Sequence, residues 1–292
     1  MTASDPLAHR PAPLAHDLLG SAAAGAPVAF LMHGILGSRR NWGTFARRLS
    51  EAFPRWRLVN LDLRNHGDTE GALPPHTVAA CAADLAALAA KVGQPRLVIG
   101  HSFGGKVALA FARDHGGPAL HHVWALDSAL DTEAVGQANE VAAVVARARA
   151  LPLPAESREA VVAHFTEAGF SLTLARWMTT NVRRVAAPGA GSGGSGLAGG
   201  FEWRFDLDAI EAMLHDYWRE DLWPWLEALP AGVQVNVLRA GRSDRWTSEV
   251  VARLAALAPQ VRSPELAEAG HWVHVDDPDG LFALLAESFA LD

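Results

Sequence analysis

The sequence predicts an α/β fold: a mostly parallel central sheet flanked by helices, with a helical insert late in the chain. Three observations carry this. Short apolar runs bounded by turn residues alternate with helix-patterned segments, as strands buried on both faces of a sheet do. Residue types that do chemistry fall where those runs end, and ligands in such sheets bind beyond the carboxyl ends of the strands. The alternation then stops between about Leu130 and Trp225, where the pattern is helical with no convincing strand.

Taken in order, residues 1–13 read as a loose polar arm, followed by a weak strand near Leu14–Leu19. Val28–Met32 is a buried strand ending in His33-Gly34. Asn41–Ser50 carries Trp42, Phe45, Ala46 and Leu49 at helical spacing. Leu58–Asp62 is the next strand, ending in the loop Arg64-Asn65-His66-Gly67. Thr77 caps a helix that runs to Val92 and stops at Gly93. Leu97–Gly100 is a strand, Lys106–Arg113 lies in a helix, and His122–Leu126 is a strand ending at Asp127. Within the insert, Glu133–Leu151, Ser157–Gly169, Leu174–Val185 and Leu207–Trp218 are amphipathic helix candidates. The Gly-rich run 188–200 reads as a loop within this lid; it lacks the preceding strand and the Lys-Ser/Thr ending of a phosphate-binding loop. The sheet resumes at Val233–Leu238, followed by a helix over Val250–Leu257, a short strand near Leu266 and a last helix over Pro278–Ala290. The chain thus divides into a core over 1–129, a lid over 130–225 and a second core part over 226–292.

Composition narrows the function. The 292 residues are 50% hydrophobic and 20% charged, enough for a sizeable core, and the net charge is −7. Adjacent arginines form mere pairs, Arg39-Arg40, Arg47-Arg48 and Arg183-Arg184, so no basic cluster points to nucleic acid or an anionic membrane. The single cysteine, Cys81, sits among apolar neighbours, as a buried thiol in a reducing compartment would. No signal peptide or membrane-spanning run is visible, so a cytoplasmic protein is expected.

The chemistry centres on Gly100-His101-Ser102-Phe103-Gly104, a strand-turn-helix pentapeptide. The turn is tight enough that side chains two positions either side of Ser102 must be absent. It pushes the Ser102 hydroxyl out of the sheet at a helix N-terminus, where backbone N–H groups favour developing negative charge. A serine hydroxyl needs a base. His271, after Glu268-Ala269-Gly270 and before the closing helix, is the best placed of thirteen histidines. His274 makes an i,i+3 pair with it, yet no third metal ligand stands at useful spacing. The histidine needs a buried acid. Asp244 preserves the order Ser, Asp, His and is favoured, while Asp127 ends the strand after the elbow helix and competes with it. The backbone N–H of Phe103, with Ile35 and Leu36 after His33-Gly34, would form the oxyanion hole. Around the substrate we expect His33, Arg64, Trp177 and Trp203, the two tryptophans as pocket-lining members of an aromatic-rich insert.

These residues resemble the α/β-hydrolase superfamily, most closely small esterases of the abhydrolase-domain-11 and bacterial ybfF type. The matching segments are 33–42 (His-Gly-Ile-Leu-Gly-Ser-Arg-Arg-Asn-Trp), 62–67 (Asp-Leu-Arg-Asn-His-Gly), 100–106, Trp203–Leu207 and 269–274. The resemblance implies cofactor-free hydrolysis of small-molecule esters or thioesters with short to medium acyl chains. It implies Ser102 as nucleophile and His271 as base. It maps the acid onto Asp127 in this branch and onto Asp244 in most of the superfamily. Ser128-Ala129-Leu130 replaces the branch's Ile-Ala-Pro, which weighs against Asp127, and the Gly-rich loop lengthens the lid. Two other readings stay within the fold. One is carbon–carbon bond hydrolysis or elimination on a carboxylated metabolite held by Arg64 and Arg242. The other is a non-catalytic ligand receptor.

Overall fold

The structure, a computed structural model, describes residues 10–132, 140–186 and 199–290. Its core begins with β1 (His16–Gly20), β2 (Val28–Met32), α1 (Arg39–Ala52), β3 (Arg57–Leu61) and α2 (Val78–Val92). β4 (Pro95–His101), α3 (Phe103–His115) and β5 (His122–Leu126) follow. The insert carries α4 (Glu140–Arg149), α5 (Arg158–Glu167), α6 (Leu172–Met178), β6 (Val182–Arg184), β7 (Phe201–Trp203), α7 (Leu207–Tyr217) and α8 (Trp223–Leu226). The core resumes with β8 (Gln234–Ala240), α9 (Ser248–Ala256), β9 (Val261–Arg262), β10 (Glu265–Leu266), α10 (Val273–Asp276) and α11 (Pro278–Phe289).

The sheet runs β1-β3-β2-β4-β5-β8-β10, with β9 also paired to β8. Only β1 is antiparallel to its neighbour. The apolar runs of the central strands are continuous because these strands feed two cores. Along β2, Val28, Phe30 and Met32 face the core under α2 and α3. Ala29 and Leu31 face the core under α1 and α11. Fully burying side chains of this kind stabilises by about 1.5–3 kcal/mol each. Two indoles in the second core are tied down as well as buried: Trp124 Nε1 donates to Ser288 Oγ (2.9 Å) and Trp56 Nε1 to the Phe289 carbonyl (2.9 Å). Thr77 caps α2 by accepting from the Ala80 N–H (3.0 Å), as the sequence suggests. Cys81 is buried in α2 against Met213, and burial pushes its thiol well above the ordinary range.

The insert departs from expectation in one respect. Leu174–Val185 is not one helix: α6 ends at Met178 and the chain leaves through β6, which pairs antiparallel with β7. Strands of three residues are too short for periodicity to reveal. Residues 188–198 of the Gly-rich run lie outside the described residues, as does the start of the helix expected from Glu133. Lys106, fully buried in α3, fastens both roots of the insert to the core. Its Nζ donates to the carbonyls of Asp131 (2.9 Å), Tyr217 (2.8 Å) and Glu220 (2.9 Å). Among the described residues, no helix is long and apolar enough to cross a membrane.

Candidate active site

β4 enters the site and Ser102 turns the chain into α3. Ser102 adopts φ 52°, ψ −118°, a strained conformation for a residue with a side chain. The flanking glycines make the turn possible. A Cβ on Gly100 would lie 1.9 Å from the Gly104 carbonyl oxygen, and one on Gly104 would lie 2.4 Å from that of His33. No side chain fits at either position. Ser102 therefore stands at the N-terminus of α3, beside the loop that follows β2: a Cβ on Gly34 would come within 3.2 Å of the Ser102 Cβ.

β5 delivers Asp127, and the loop between β10 and α10 delivers His271. Nδ1 of His271 lies 2.7 Å from Oδ2 of Asp127. A carboxylate only accepts, so Nδ1 carries the proton and Nε2 is left as the basic nitrogen. Asp127 is wholly buried and has φ 45°, a second strained residue at this edge. A buried carboxylate needs donors. Oδ1 accepts from Trp246 Nε1 (2.6 Å) and from the Ala240 N–H (3.2 Å), while Arg245 Nε faces Oδ2 at 3.6 Å. Burial pushes the acid up, but the hydrogen bond and charge of His271, with Trp246 and Arg245, hold it below the usual carboxylate range. Burial pulls His271 below the ordinary histidine value. Arg245 pulls the same way and Asp127 opposes it. The ring is therefore neutral, and able to take a proton, at neutral pH.

The structure pairs His271 with Asp127, sets the loop after β2 beside Ser102, and ties His101, the residue before Ser102, to the His271 carbonyl; Asp244 is in none of these contacts. The preference for Asp244 is corrected: it lies in a turn after β8 with its side chain exposed, and Asp127 occupies the place beside His271. Leu36 is also corrected as an oxyanion donor, because its N–H is directed at Nε2 of His66 (3.2 Å). Neither Phe103 nor Ile35 has its N–H in a hydrogen bond among the described residues.

His33 does not face substrate. It is buried, donates from Nδ1 to the Gly34 carbonyl (2.7 Å) and accepts at Nε2 from the Leu63 N–H (3.1 Å). His66 repeats the pattern, donating to the Arg64 carbonyl (2.8 Å) while accepting from Leu36. Burial lowers the two to about 4 and about 3, so both stay neutral and clamp the loops after β2 and β3 together. Arg64 is buried in a two-point pair with Asp84 (2.7 and 2.8 Å) and presents nothing to substrate. Arg242 is exposed and pairs with Glu268. Trp203 belongs to the insert's own core, donating to the Ala148 carbonyl (3.1 Å) and stacking on Phe205. The Trp177 ring lies 4.5 Å between centroids from that of Trp272, the neighbour of His271.

Four contributors escape the sequence reading. His101 donates from Nε2 to the His271 carbonyl (2.7 Å), fixing the base's backbone to the elbow. Its place one residue before Ser102 was the available signal. Trp272 follows His271 in the matching segment 269–274, and its ring stands 5.8 Å between centroids from that of His271. Arg245 and Trp246 follow Asp244 directly, and only the direction of the turn reveals that they reach Asp127. His274 stacks on Trp42 at 4.0 Å and serves packing.

Comparison with known proteins agrees with this architecture. The model of the alpha/beta hydrolase family matches residues 29–284. The mouse protein named sn-1-specific diacylglycerol lipase ABHD11 is 26% identical, over 92% of this chain and 82% of its own length. The Escherichia coli protein named Esterase YbfF is 27% identical, over 86% of this chain and 88% of its own. Among solved structures, a marine microorganism esterase superposes with a TM-score of 0.78 at 20% identity, covering 94% of this chain and 99% of that one.

Proposed function

This chain belongs to the alpha/beta hydrolase family, and from that membership and its site we propose that it is a serine hydrolase of carboxylic esters or thioesters with short to medium acyl chains. The observation that carries the reading is the 2.7 Å contact between His271 and Asp127 at the sheet edge where Ser102 is held in its strained turn. Ser102 Oγ attacks the acyl carbon while His271 Nε2 takes its proton. Asp127 keeps the imidazole in the required tautomer and stabilises the imidazolium. The N–H groups of Phe103 and Ile35 hold the oxyanion at the N-terminus of α3. Collapse releases the alcohol or thiol, protonated by His271, and leaves an acyl-serine. Water activated by the same histidine then repeats the attack and frees the acid.

Insert residues 130–225 act as the lid in this reading, with Trp177 and Trp272 forming an apolar wall beside the histidine. The names of the two relatives, a lipase and an esterase, support ester cleavage. Hydrolysis of a carboxylated metabolite has lost the arginines that suggested it, since Arg64 and Arg242 are both paired. The test is Ser102→Ala. It should lower turnover of p-nitrophenyl acetate and butyrate by about 10⁴-fold or more and abolish fluorophosphonate labelling, with the circular dichroism spectrum unchanged. Full activity in that variant would refute the proposal.

A further inference from the structure

Asp127 is held from two sides. His271 occupies Oδ2, and the loop between β8 and α9 reaches back over the carboxylate from the opposite direction. From that loop, Trp246 Nε1 donates to Oδ1 at 2.6 Å and Arg245 Nε stands 3.6 Å from Oδ2. Asp244, the first acidic residue after β8, points away into solvent. We propose that this loop supports the acid rather than supplying it. Trp246 and Arg245 are positioning residues that lock the Asp127 carboxylate and set the pH at which His271 becomes available as base. The proposal rests on the hydrolase reading above.

The two side chains do different work. The indole N–H is a directional donor on a wholly buried oxygen, so it fixes the rotation of the carboxylate and hence the line of the Asp127–His271 bond. Arg245 acts as a charge. Its Nε is buried yet has no hydrogen-bond partner among the described residues, so it contributes by field rather than by a fixed bond. A cation there stabilises the aspartate anion and opposes protonation of the histidine beyond it. Other groups facing His271 are Asp127 from β5, His101 from the elbow, His274 from α10 and Glu140 from α4. Burial keeps His101 and His274 neutral near pH 7, and Asp127 and Glu140 favour the imidazolium. Among the groups that bear on His271, Arg245 is the cation opposing them.

The sign follows directly. Removing the positive charge raises the affinity of His271 for a proton, so the acid limb of kcat/KM moves to higher pH. In Arg245→Met we expect that limb to rise by about 0.5–1 pH unit, the effect of one partly screened charge at this range. Arg245→Lys, which keeps the charge without the fork, should stay within about 0.2 unit of the parent. The Met shift should shrink at high salt, because Arg245 is partly exposed. Trp246→Phe keeps the ring's packing and loses the donor; kcat should fall about tenfold with KM unchanged.

A purely structural role would lower activity equally at every pH and would not be rescued by lysine. The same titration read by ¹⁵N NMR on the His271 ring, in a Ser102→Ala background, needs no turnover. A His271 midpoint that does not move in Arg245→Met, or moves equally in Arg245→Lys, overturns the inference. Should Arg245→Met fail to fold, Arg245→Gln carries the same test. A shifted midpoint in a protein that cleaves no ester would instead leave the inference standing and refute the hydrolase reading.

Discussion

Two loops at the same edge of the sheet carry an aspartate just after a parallel strand, and the structure treats them oppositely. After β5 the chain turns in at once. Asp127 has φ 45°, no solvent exposure, and hydrogen bonds from Trp246, His271 and the Ala240 N–H. After β8 the chain turns out, leaving Asp244 exposed while its two successors turn back toward Asp127. The contrast teaches that position at a strand end does not select the carboxylate that partners His271. What selects it is whether enough donors converge to hold a charged carboxylate out of water, since an unpartnered buried carboxylate would neutralise itself.

The sharpest way to break this comparison is to neutralise the buried member. Asp127→Asn keeps shape and hydrogen-bonding capacity, yet its amide can present an N–H to His271 and favour the wrong tautomer. We expect kcat on p-nitrophenyl butyrate to fall by about 10⁴-fold at pH 7 with little change in KM. A loss below tenfold would dissociate Asp127 from the chemistry despite its contact with His271.

The same contrast extends to stability. His33 and His66 are neutral because burial penalises the charged ring, and each accepts at Nε2 a backbone N–H that a protonated ring cannot accept. Their folded-state values, about 4 and about 3, lie below the ordinary 6.5. Protonation therefore favours the unfolded chain. This stability is complete above about pH 6.5 and is lost progressively as pH falls toward 4. The urea midpoint should decline steeply between pH 6.5 and 4. His66→Gln, whose amide oxygen can replace Nε2 as acceptor for Leu36, should decline less steeply over the same interval. A midpoint independent of pH in that window would remove the assigned role of the two histidines.

These differences also explain what the sequence made legible. The strands were readable because two-sided burial writes itself as uninterrupted apolar runs, as in Val28–Met32. The elbow was readable because Gly100 and Gly104 are sterically obligatory around Ser102, an imprint that survives in one dimension. The choice between Asp127 and Asp244 was not, because both follow a strand at the same edge and the deciding fact is a backbone dihedral. Leu36 failed as an expected donor for a related reason: spacing places it in the loop after His33-Gly34, but only the fold reveals that His66 already takes its N–H. The β6–β7 pair escaped because three-residue strands leave too few positions for a period-2 pattern.

The smallest expected effect is the most informative about the second loop. Asp244→Asn removes a charge from an exposed side chain, and surface substitutions away from a built site change free energies by within about 0.5 kcal/mol. We expect kcat/KM within about twofold of the parent at pH 7. If Asp244 acted through solvent on its neighbour Arg245, neutralising it would strengthen the positive field at Asp127 and lower the His271 midpoint slightly, opposite in sign to the effect of removing Arg245. The pair of measurements thus ranks the two loops on one scale. A loss of several orders of magnitude in Asp244→Asn, with Asp127→Asn near normal, would invert the comparison and would require the loop after β8 to turn inward during catalysis.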